Sequence, residues 1–137
     1  MLYIEDDEPS LQLVERLLEQ RPAVELLTAT EGRHGVTLAR ERRPAVILLD
    51  LHLQDMAAED VLRAIRQEPA LRSTPVILVT AEPYPRLPER WQAAGAQAYL
   101  RKPIEFSRFF ALLDAYLAAP GSAEPVSSLG ANPDAAP

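Results

Sequence analysis

Polar side chains that could do chemistry lie at the ends of four apolar runs in the sequence. In chain order they are Glu5 with Asp6, then Asp50, Thr80 and Lys102. Carboxylates can bind a divalent cation or act as nucleophiles, and a hydroxyl and an ammonium can interact with phosphate oxygens. If the fold brings these groups together, their combined chemistry is that of phosphoryl transfer to a carboxylate.

The run at residues 45–49 consists of alanine, valine, isoleucine and leucine, and it ends at Asp50. It has no polar alternation and is too short for a helix, so it predicts a parallel strand buried on both faces. Residues 75–80 repeat the pattern, with a proline, an apolar run and the polar Thr80. Chemistry in an open parallel sheet gathers at the C-terminal ends of the strands, which makes Asp50 a candidate. Taken singly, Asp50 is equally consistent with an acid that caps a loop, and Thr80 with an ordinary strand residue.

Strands and helices are predicted to alternate along the rest of the chain. Further strands are expected at residues 2–4, 24–29 and 96–100. Apolar residues at helical spacing predict a helix after each strand, with Thr30 as the cap of the second helix and Pro88 at the start of the fourth. The last helix carries an apolar stripe that should cover the sheet, formed by Phe106, Phe109, Phe110, Leu113, Tyr116 and Leu117.

Five strands alternating with five helices predict an α/β fold, a doubly wound parallel sheet with helices on both faces. Right-handed crossovers would place the ends of strands one, three, four and five around one crevice. Glu5, Asp6 and Asp50 could not all stay ionised there without a cation, and an oxygen-only site suits Mg²⁺. Thr80 and Lys102 would add a hydroxyl and a second positive charge. The alternative for the acidic run at residues 5–8 is a solvated helix N-terminus.

Composition narrows the classes of function. The chain of 137 residues is long enough for one domain, and 47% hydrophobic with 25% charged residues is typical of a globular protein. No apolar run approaches the ~20 residues that span a bilayer, and we expect no membrane contact and a cytoplasmic location. The absence of cysteine excludes disulfides and argues against zinc. A net charge of −6 argues against a nucleic-acid surface.

Lys102 is the one lysine among 14 basic residues. A compact ammonium and a planar guanidinium are not interchangeable at a tight site, so this exception indicates that a point charge is needed there. The alternative is that a single lysine survived by chance in a chain that otherwise uses arginine.

Four segments, in order, resemble the motifs of the receiver domains of two-component response regulators. They are Ile4-Glu5-Asp6-Asp7, Leu48-Leu49-Asp50-Leu51-His52-Leu53, Val79-Thr80-Ala81 and Ala98-Tyr99-Leu100-Arg101-Lys102-Pro103. The resemblance covers residues 1 to about 117, and it is closest to the receiver appended to hybrid sensor histidine kinases. It implies a flavodoxin-like three-layer sandwich with the strand order 2-1-3-4-5.

The same resemblance implies roles for the candidate residues. Asp50 would be the phosphoacceptor, Glu5 and Asp6 the acids of a Mg²⁺ site, Thr80 the hydroxyl contact and Lys102 the counter-charge of the phosphate. Asp50 would also bind the Mg²⁺.

Further positions follow from the resemblance. The backbone carbonyl of His52 would complete the Mg²⁺ site, and Tyr99 occupies the position of the switch aromatic that acts with the hydroxyl residue. Two positions depart from the family pattern: Gln54 stands where proline is usual and Ala58 where glycine is usual. These departures affect the geometry of the loop after Asp50 rather than the reactive groups.

Three functions are open to a chain with these residues. The first is a signalling switch that takes a phosphoryl group from the phosphohistidine of a histidine kinase or phosphotransfer protein, and that is not an enzyme because it is consumed stoichiometrically. The second is an aspartyl-nucleophile phosphatase, which would need a second carboxylate where this chain has His52. The third is a receiver-like binding module that is never phosphorylated.

The domain is expected to comprise residues 1–118. Residues 119–137, rich in alanine, proline and serine, lack apolar periodicity and predict a disordered tail or the stump of a linker. A homodimer through the face of helix 4, strand 5 and helix 5 is a further expectation.

Overall fold

A computed structural model describes residues 1–117, which form five strands and five α-helices in alternation. The elements are β1 (Leu2–Ile4), α1 (Glu8–Leu17), β2 (Leu27–Ala29), α2 (Gly32–Arg42), β3 (Ile47–Asp50), α3 (Ala58–Gln67), β4 (Val76–Thr80), α4 (Glu89–Ala94), β5 (Ala98–Arg101) and α5 (Phe106–Tyr116). Single turns of 3₁₀-helix follow α1 at Leu18–Gln20 and α3 at Pro69–Leu71.

The five strands form one parallel sheet in the order β2-β1-β3-β4-β5. This order confirms the predicted doubly wound sheet. Its register aligns the strand ends, because Ile4 pairs with Leu49, Leu49 with Leu78, and Leu78 with Tyr99. The residues that follow these positions on β1, β3, β4 and β5 therefore lie along one edge of the sheet.

Two apolar layers cover the two faces of the sheet, as expected for a three-layer sandwich. Alternate strand residues point to opposite faces, so Leu2 and Ile4 belong to one layer and Tyr3 to the other. The first layer is completed by α2, α3 and α4, and the second by α1 and α5. Because both faces are covered, the strands are almost continuously apolar, which is the pattern that predicted them.

The prediction for Phe106 was wrong. Most of the apolar stripe of α5 does face the sheet, with Phe109 and Leu113 buried, but Phe106 is 62% exposed. Phe106 is the first residue of α5, and Ile104, two residues before the helix, is buried in the layer instead. The chain thus covers this end of the layer before α5 begins.

The prediction that Thr30 caps α2 was also wrong. The helix begins at Gly32, its N-cap position is Glu31, and that side chain makes no capping hydrogen bond. The carboxylate of Asp55, in the loop after β3, accepts hydrogen bonds from the amides of Gly32 at 2.8 Å and Arg33 at 3.0 Å. A residue far along the chain therefore caps this helix.

Other boundaries shift by a few residues. The second strand is shorter than predicted because the amide of Val24 donates to the Arg21 carbonyl in a turn. The fifth strand begins two residues later because the amide of Ala96 still donates to the Trp91 carbonyl at the end of α4. Pro88 occupies the N-cap position of α4, and Gly95, with φ of 112°, ends that helix as expected.

Within residues 1–117, no helix is both long enough and apolar enough to cross a membrane. The predicted tail at residues 119–137 lies outside the described residues, and the domain boundary at residue 118 stays a prediction.

Candidate functional site

Three polar side chains are buried at the C-terminal edge of the sheet. Glu5, Asp50 and Thr80 are the buried polar or charged residues of the described part of the chain, with exposed fractions of 0%, 3% and 0%. Glu5 directly follows β1, Asp50 ends β3 and Thr80 ends β4. Buried charges in proteins are paired or bound to a cation, so this edge is the candidate site.

Lys102 supplies a positive charge to this edge. Its Nζ lies 2.7 Å from Glu5 Oε1 and 3.7 Å from Asp50 Oδ1, and the side chain is 23% exposed. The backbone amide of Lys102 donates to the Thr80 carbonyl at 2.7 Å, which fixes the residue beside the end of β4. One ammonium therefore interacts with two buried carboxylates.

The carboxylates of Glu5, Asp6 and Asp50 can converge on one cation. Each offers a ligand atom, and these atoms lie within 4.8 Å of one another. Glu5 and Asp50 are buried, whereas Asp6 is exposed to solvent. A set of oxygen ligands with access to water suits a hard cation such as Mg²⁺, which keeps several of its waters. The residues present fit the predicted metal site.

The loop after Asp50 begins with a hydrogen bond from the amide of His52 to Asp50 Oδ1 at 3.3 Å. The side chain of His52 is 68% exposed, and its Nε2 lies 3.8 Å from Oε1 of Glu82. The side chain thus points away from the cluster of acids. The role of the His52 carbonyl as a metal ligand stays a prediction.

The two buried carboxyls affect each other's ionisation. Burial, a hydrogen bond with Glu5 and the charge of Glu5 raise the pKa of Asp50 to about 7. Burial would raise the pKa of Glu5 as well, but hydrogen bonds with Asp50, Lys102 and Tyr3 outweigh it and lower the pKa. For Lys102, burial lowers the pKa, but the hydrogen bond to Glu5 and the charges of Asp50 and Glu5 outweigh burial, so the pKa is raised. A cation would relieve the repulsion between Glu5 and Asp50, which adds to the effect of burial on the pKa of Asp50.

Tyr3 also belongs to the site and was not predicted from the sequence. Its hydroxyl donates to Glu5 Oε1 at 2.8 Å. The signal was available, since Tyr3 lies two residues before Glu5 and alternate residues of a strand face the same side. By contrast, Asp7 caps α1: its side chain accepts from the Ser10 amide at 3.1 Å, and its own amide donates to Glu5 Oε2 at 3.3 Å.

The two candidate switch residues lie on the neighbouring strands β4 and β5. Thr80 Oγ1 accepts a hydrogen bond from the Glu82 amide at 3.1 Å. Tyr99 is buried in the layer that contains α4, its hydroxyl donates to the Tyr84 carbonyl, and the two tyrosine rings meet edge to face with centroids 5.6 Å apart. The structure therefore brings together Glu5, Asp6, Asp50 and Lys102. Thr80 lies at the same edge of the sheet, and Tyr99 contacts the loop after β4.

Comparison with known proteins gives a consistent result. A family model described as the response regulator receiver domain matches residues 1–114. The polar-differentiation response regulator DivK of Brucella anthropi is 33% identical over 117 residues, which are 85% of this chain and 94% of that protein.

Solved structures share the fold. The chemotaxis protein CheY4 of Vibrio cholerae superposes with a TM-score of 0.74 at 28% identity, over 84% of this chain and 95% of that one. The receiver domain of a sensor histidine kinase of Pseudomonas aeruginosa, which has magnesium coordinated in its active-site cleft, superposes with a TM-score of 0.74 at 24% identity, over 86% and 96%. With the family model and the relatives taken together, the chain belongs to the receiver domains of two-component response regulators.

Proposed function

We propose that Asp50 accepts a phosphoryl group from the phosphohistidine of a histidine kinase or phosphotransfer protein, and that this modification changes a partner-binding surface. The observation that carries the proposal is the convergence of Lys102, Glu5 and Asp6 on a buried carboxylate at a strand end. Membership of the receiver family supports it, because receiver domains act with such kinases.

In the proposed reaction, an oxygen of the Asp50 carboxylate attacks phosphorus while the phosphorus–nitrogen bond to the imidazole breaks. The imidazole nitrogen keeps the electron pair of that bond, and Asp50 becomes an acyl phosphate. Asp50 must be ionised to attack, and Lys102 favours that form because its ammonium lies 3.7 Å from Asp50 Oδ1. The same ammonium can then donate to a phosphoryl oxygen.

Glu5, Asp6 and Asp50 would hold Mg²⁺, with the backbone carbonyl of His52 as a further ligand. Bound Mg²⁺ would neutralise the charge that develops on the phosphoryl oxygens. The oxygen ligands of the three acids support this assignment. So does the magnesium in the cleft of the receiver from Pseudomonas aeruginosa.

Thr80 and Tyr99 are proposed to transmit the modification. Thr80 ends the strand next to β3, and its hydroxyl, which accepts from the Glu82 amide, would move to donate its proton to a phosphoryl oxygen. Such a move would pull on the loop after β4, which is the loop whose Tyr84 carbonyl accepts from the Tyr99 hydroxyl. The proposed output surface is the face of α4, β5 and α5, where a cavity of about 520 Å³ is lined by Tyr84, Tyr99 and Arg108 among others.

The domain is proposed to be a switch rather than an enzyme. An aspartyl-nucleophile phosphatase would need a second carboxylate two positions after the nucleophile as its general acid and base, and the residue there is His52, whose side chain is 68% exposed. A binding module without phosphorylation would have no use for a buried Glu5 and Asp50 held against Lys102. A homodimer through the α4, β5 and α5 face, a cytoplasmic location and no binding of nucleic acid or membrane complete the proposal.

The test is to incubate the chain with Mg²⁺ and acetyl phosphate and to measure the intact mass. Wild type should gain the mass of one phosphoryl group, and Asp50→Ala should gain none. A second matched variant, Asp55→Ala, removes a carboxylate from the adjacent loop and should still be modified. Modification of Asp50→Ala at the wild-type rate would refute the assignment, and so would failure of wild type to gain mass.

A further inference from the structure

The two oxygens of the buried Glu5 carboxylate have different surroundings. Oε1 lies 2.7 Å from Lys102 Nζ and accepts the Tyr3 hydroxyl at 2.8 Å. Oε2 accepts the Asp7 amide at 3.3 Å. Two close donors thus lie at Oε1, and the Asp7 amide donates to Oε2 over a longer distance. Tyr3 and Lys102 therefore set the orientation of a carboxylate that is one of the three candidate metal ligands.

Tyr3 is a donor whose position is set by packing. The residue is fully buried in β1, and its ring lies in the apolar layer with Leu11, Val14 and Phe109. Its hydroxyl is the single polar atom of this side chain, and it points at Glu5. Because packing fixes the ring, the hydroxyl is a fixed donor to Glu5.

Lys102 is a donor that has to be shared. Its ammonium lies between Glu5 Oε1 and Asp50 Oδ1, at 2.7 and 3.7 Å. In the proposed function, a phosphoryl group on Asp50 attracts that ammonium. Glu5 is 0% exposed, and a buried acceptor that loses a donor is costly unless another partner remains. The Tyr3 hydroxyl remains on Oε1 when Lys102 moves.

We propose that Tyr3 is a positioning residue: it holds the Glu5 carboxylate in the orientation that binds a divalent cation, and it keeps Glu5 satisfied when Lys102 turns to the phosphoryl group. This inference rests on the proposed function and adds a residue to its metal site. Hydrogen-bond partners of metal ligands commonly contribute about 10- to 100-fold to metal affinity.

The test is Tyr3→Phe, which removes one oxygen and keeps the ring that fills the apolar layer. Binding of Mn²⁺ is measured by electron paramagnetic resonance, and binding of Mg²⁺ by competition. The matched control is Tyr116→Phe, which removes a hydroxyl from a half-buried tyrosine packed on the same layer. We expect Tyr3→Phe to bind the cations about 10-fold more weakly. The control should bind them as wild type does, and both variants should melt at similar temperatures. An unchanged cation affinity of Tyr3→Phe would overturn the proposal.

A second comparison separates orientation from a general disturbance of the site. Glu5→Asp shortens the side chain by one methylene and withdraws its carboxylate from the Tyr3 hydroxyl. In that background, Tyr3→Phe should weaken the binding of the cations by less than about 2-fold, because the effects of two residues that act through one contact are not additive. An equal effect in both backgrounds would refute the coupling between Tyr3 and Glu5.

The outcome for wild type distinguishes this inference from the proposed function. If wild type neither binds a cation nor gains a phosphoryl group, the proposed function fails. If wild type does both and Tyr3→Phe binds the cation equally well, the proposed function stands and the role of Tyr3 fails.

Discussion

Asp55→Ala should destabilise the domain although Asp55 lies in the loop after β3, outside the helices and strands. Its Oδ1 and Oδ2 accept the amides of Gly32 at 2.8 Å and Arg33 at 3.0 Å, two of the first amides of α2, which have no partner inside the helix. Loss of an N-cap acceptor costs about 0.5–2 kcal/mol. Because Asp55 serves two amides and carries a charge at the positive end of the helix, we expect a loss of about 1–2 kcal/mol in the free energy of unfolding.

Urea unfolding at neutral pH measures this loss. The matched control is Asp114→Ala, which removes a carboxylate whose contact with Arg21 is an exposed pair 3.7 Å long. Such a pair contributes about 0–1 kcal/mol, so this control should be close to wild type. Asp55→Asn keeps one acceptor oxygen and should fall between Asp55→Ala and wild type. Hydrogen exchange of the Gly32 and Arg33 amides should be faster in Asp55→Ala.

The pH dependence gives an independent check on Asp55. Burial alone would raise its pKa, but hydrogen bonds from the Arg33 and Gly32 amides outweigh burial and lower it. A carboxyl with a depressed folded pKa stabilises the fold above its unfolded pKa of about 3.9, and this contribution is lost as the pH falls through the folded pKa. The difference between wild type and Asp55→Ala should therefore be constant near neutral pH and shrink below about pH 4. A loss no larger than that of Asp114→Ala, or unchanged exchange at Gly32 and Arg33, would refute the capping role.

Three further predictions concern the site. Lys102→Arg should slow modification by acetyl phosphate at least 10-fold, because a planar fork does not fit a place where one ammonium lies 2.7 Å from Glu5 and 3.7 Å from Asp50; a wild-type rate would mean that the lone lysine is accidental. Without divalent cations, Asp50→Asn should gain stability relative to wild type as the pH rises from about 4 to 7, because a carboxyl whose pKa is raised to about 7 loses its stabilising contribution over that range. Urea unfolding at several pH values tests this, and a difference in the free energy of unfolding that does not change with pH would contradict it. Beryllofluoride with Mg²⁺ should change the emission of Trp91, which is buried in α4, and Tyr99→Ala should reduce the change while cation binding persists; a full response in that variant would exclude Tyr99 as the coupling residue.

Features with a local signal could be predicted from the sequence. The strands β3 and β4 are uninterrupted apolar runs, and the polar residues Asp50 and Thr80 mark their ends. Once the alternation of strands and helices predicts a parallel sheet, the register of the strands brings these ends together. The end of α4 at Gly95 was predictable from a local signal as well, because glycine readily adopts the positive φ of 112° found there.

Features that depend on distant contacts could not be predicted. Asp55 caps a helix that begins 23 residues before it, and no local pattern links the two. The guanidinium of Arg66 donates to the carbonyls of Leu71, Thr74 and Gly95, joining the end of α3 to the turn before β5. Helical spacing alone cannot say where a stripe leaves the core, which is why Phe106 was assigned to it. These contacts are decided by how the elements pack, rather than by the segments themselves.

The most direct test of the central claim is transfer from a phosphohistidine donor, followed by identification of the modified residue. A histidine phosphotransfer protein carrying ³²P on its imidazole is mixed with the chain and Mg²⁺, and transfer is measured as ³²P on the chain. In a parallel sample, borohydride reduces the acyl phosphate, which releases the phosphate and converts the modified aspartate to homoserine, and mass spectrometry locates that residue. We predict that the label moves to the chain and that the reduced residue is Asp50. Labelling of another residue, or transfer to Asp50→Asn at the wild-type rate, would contradict the account.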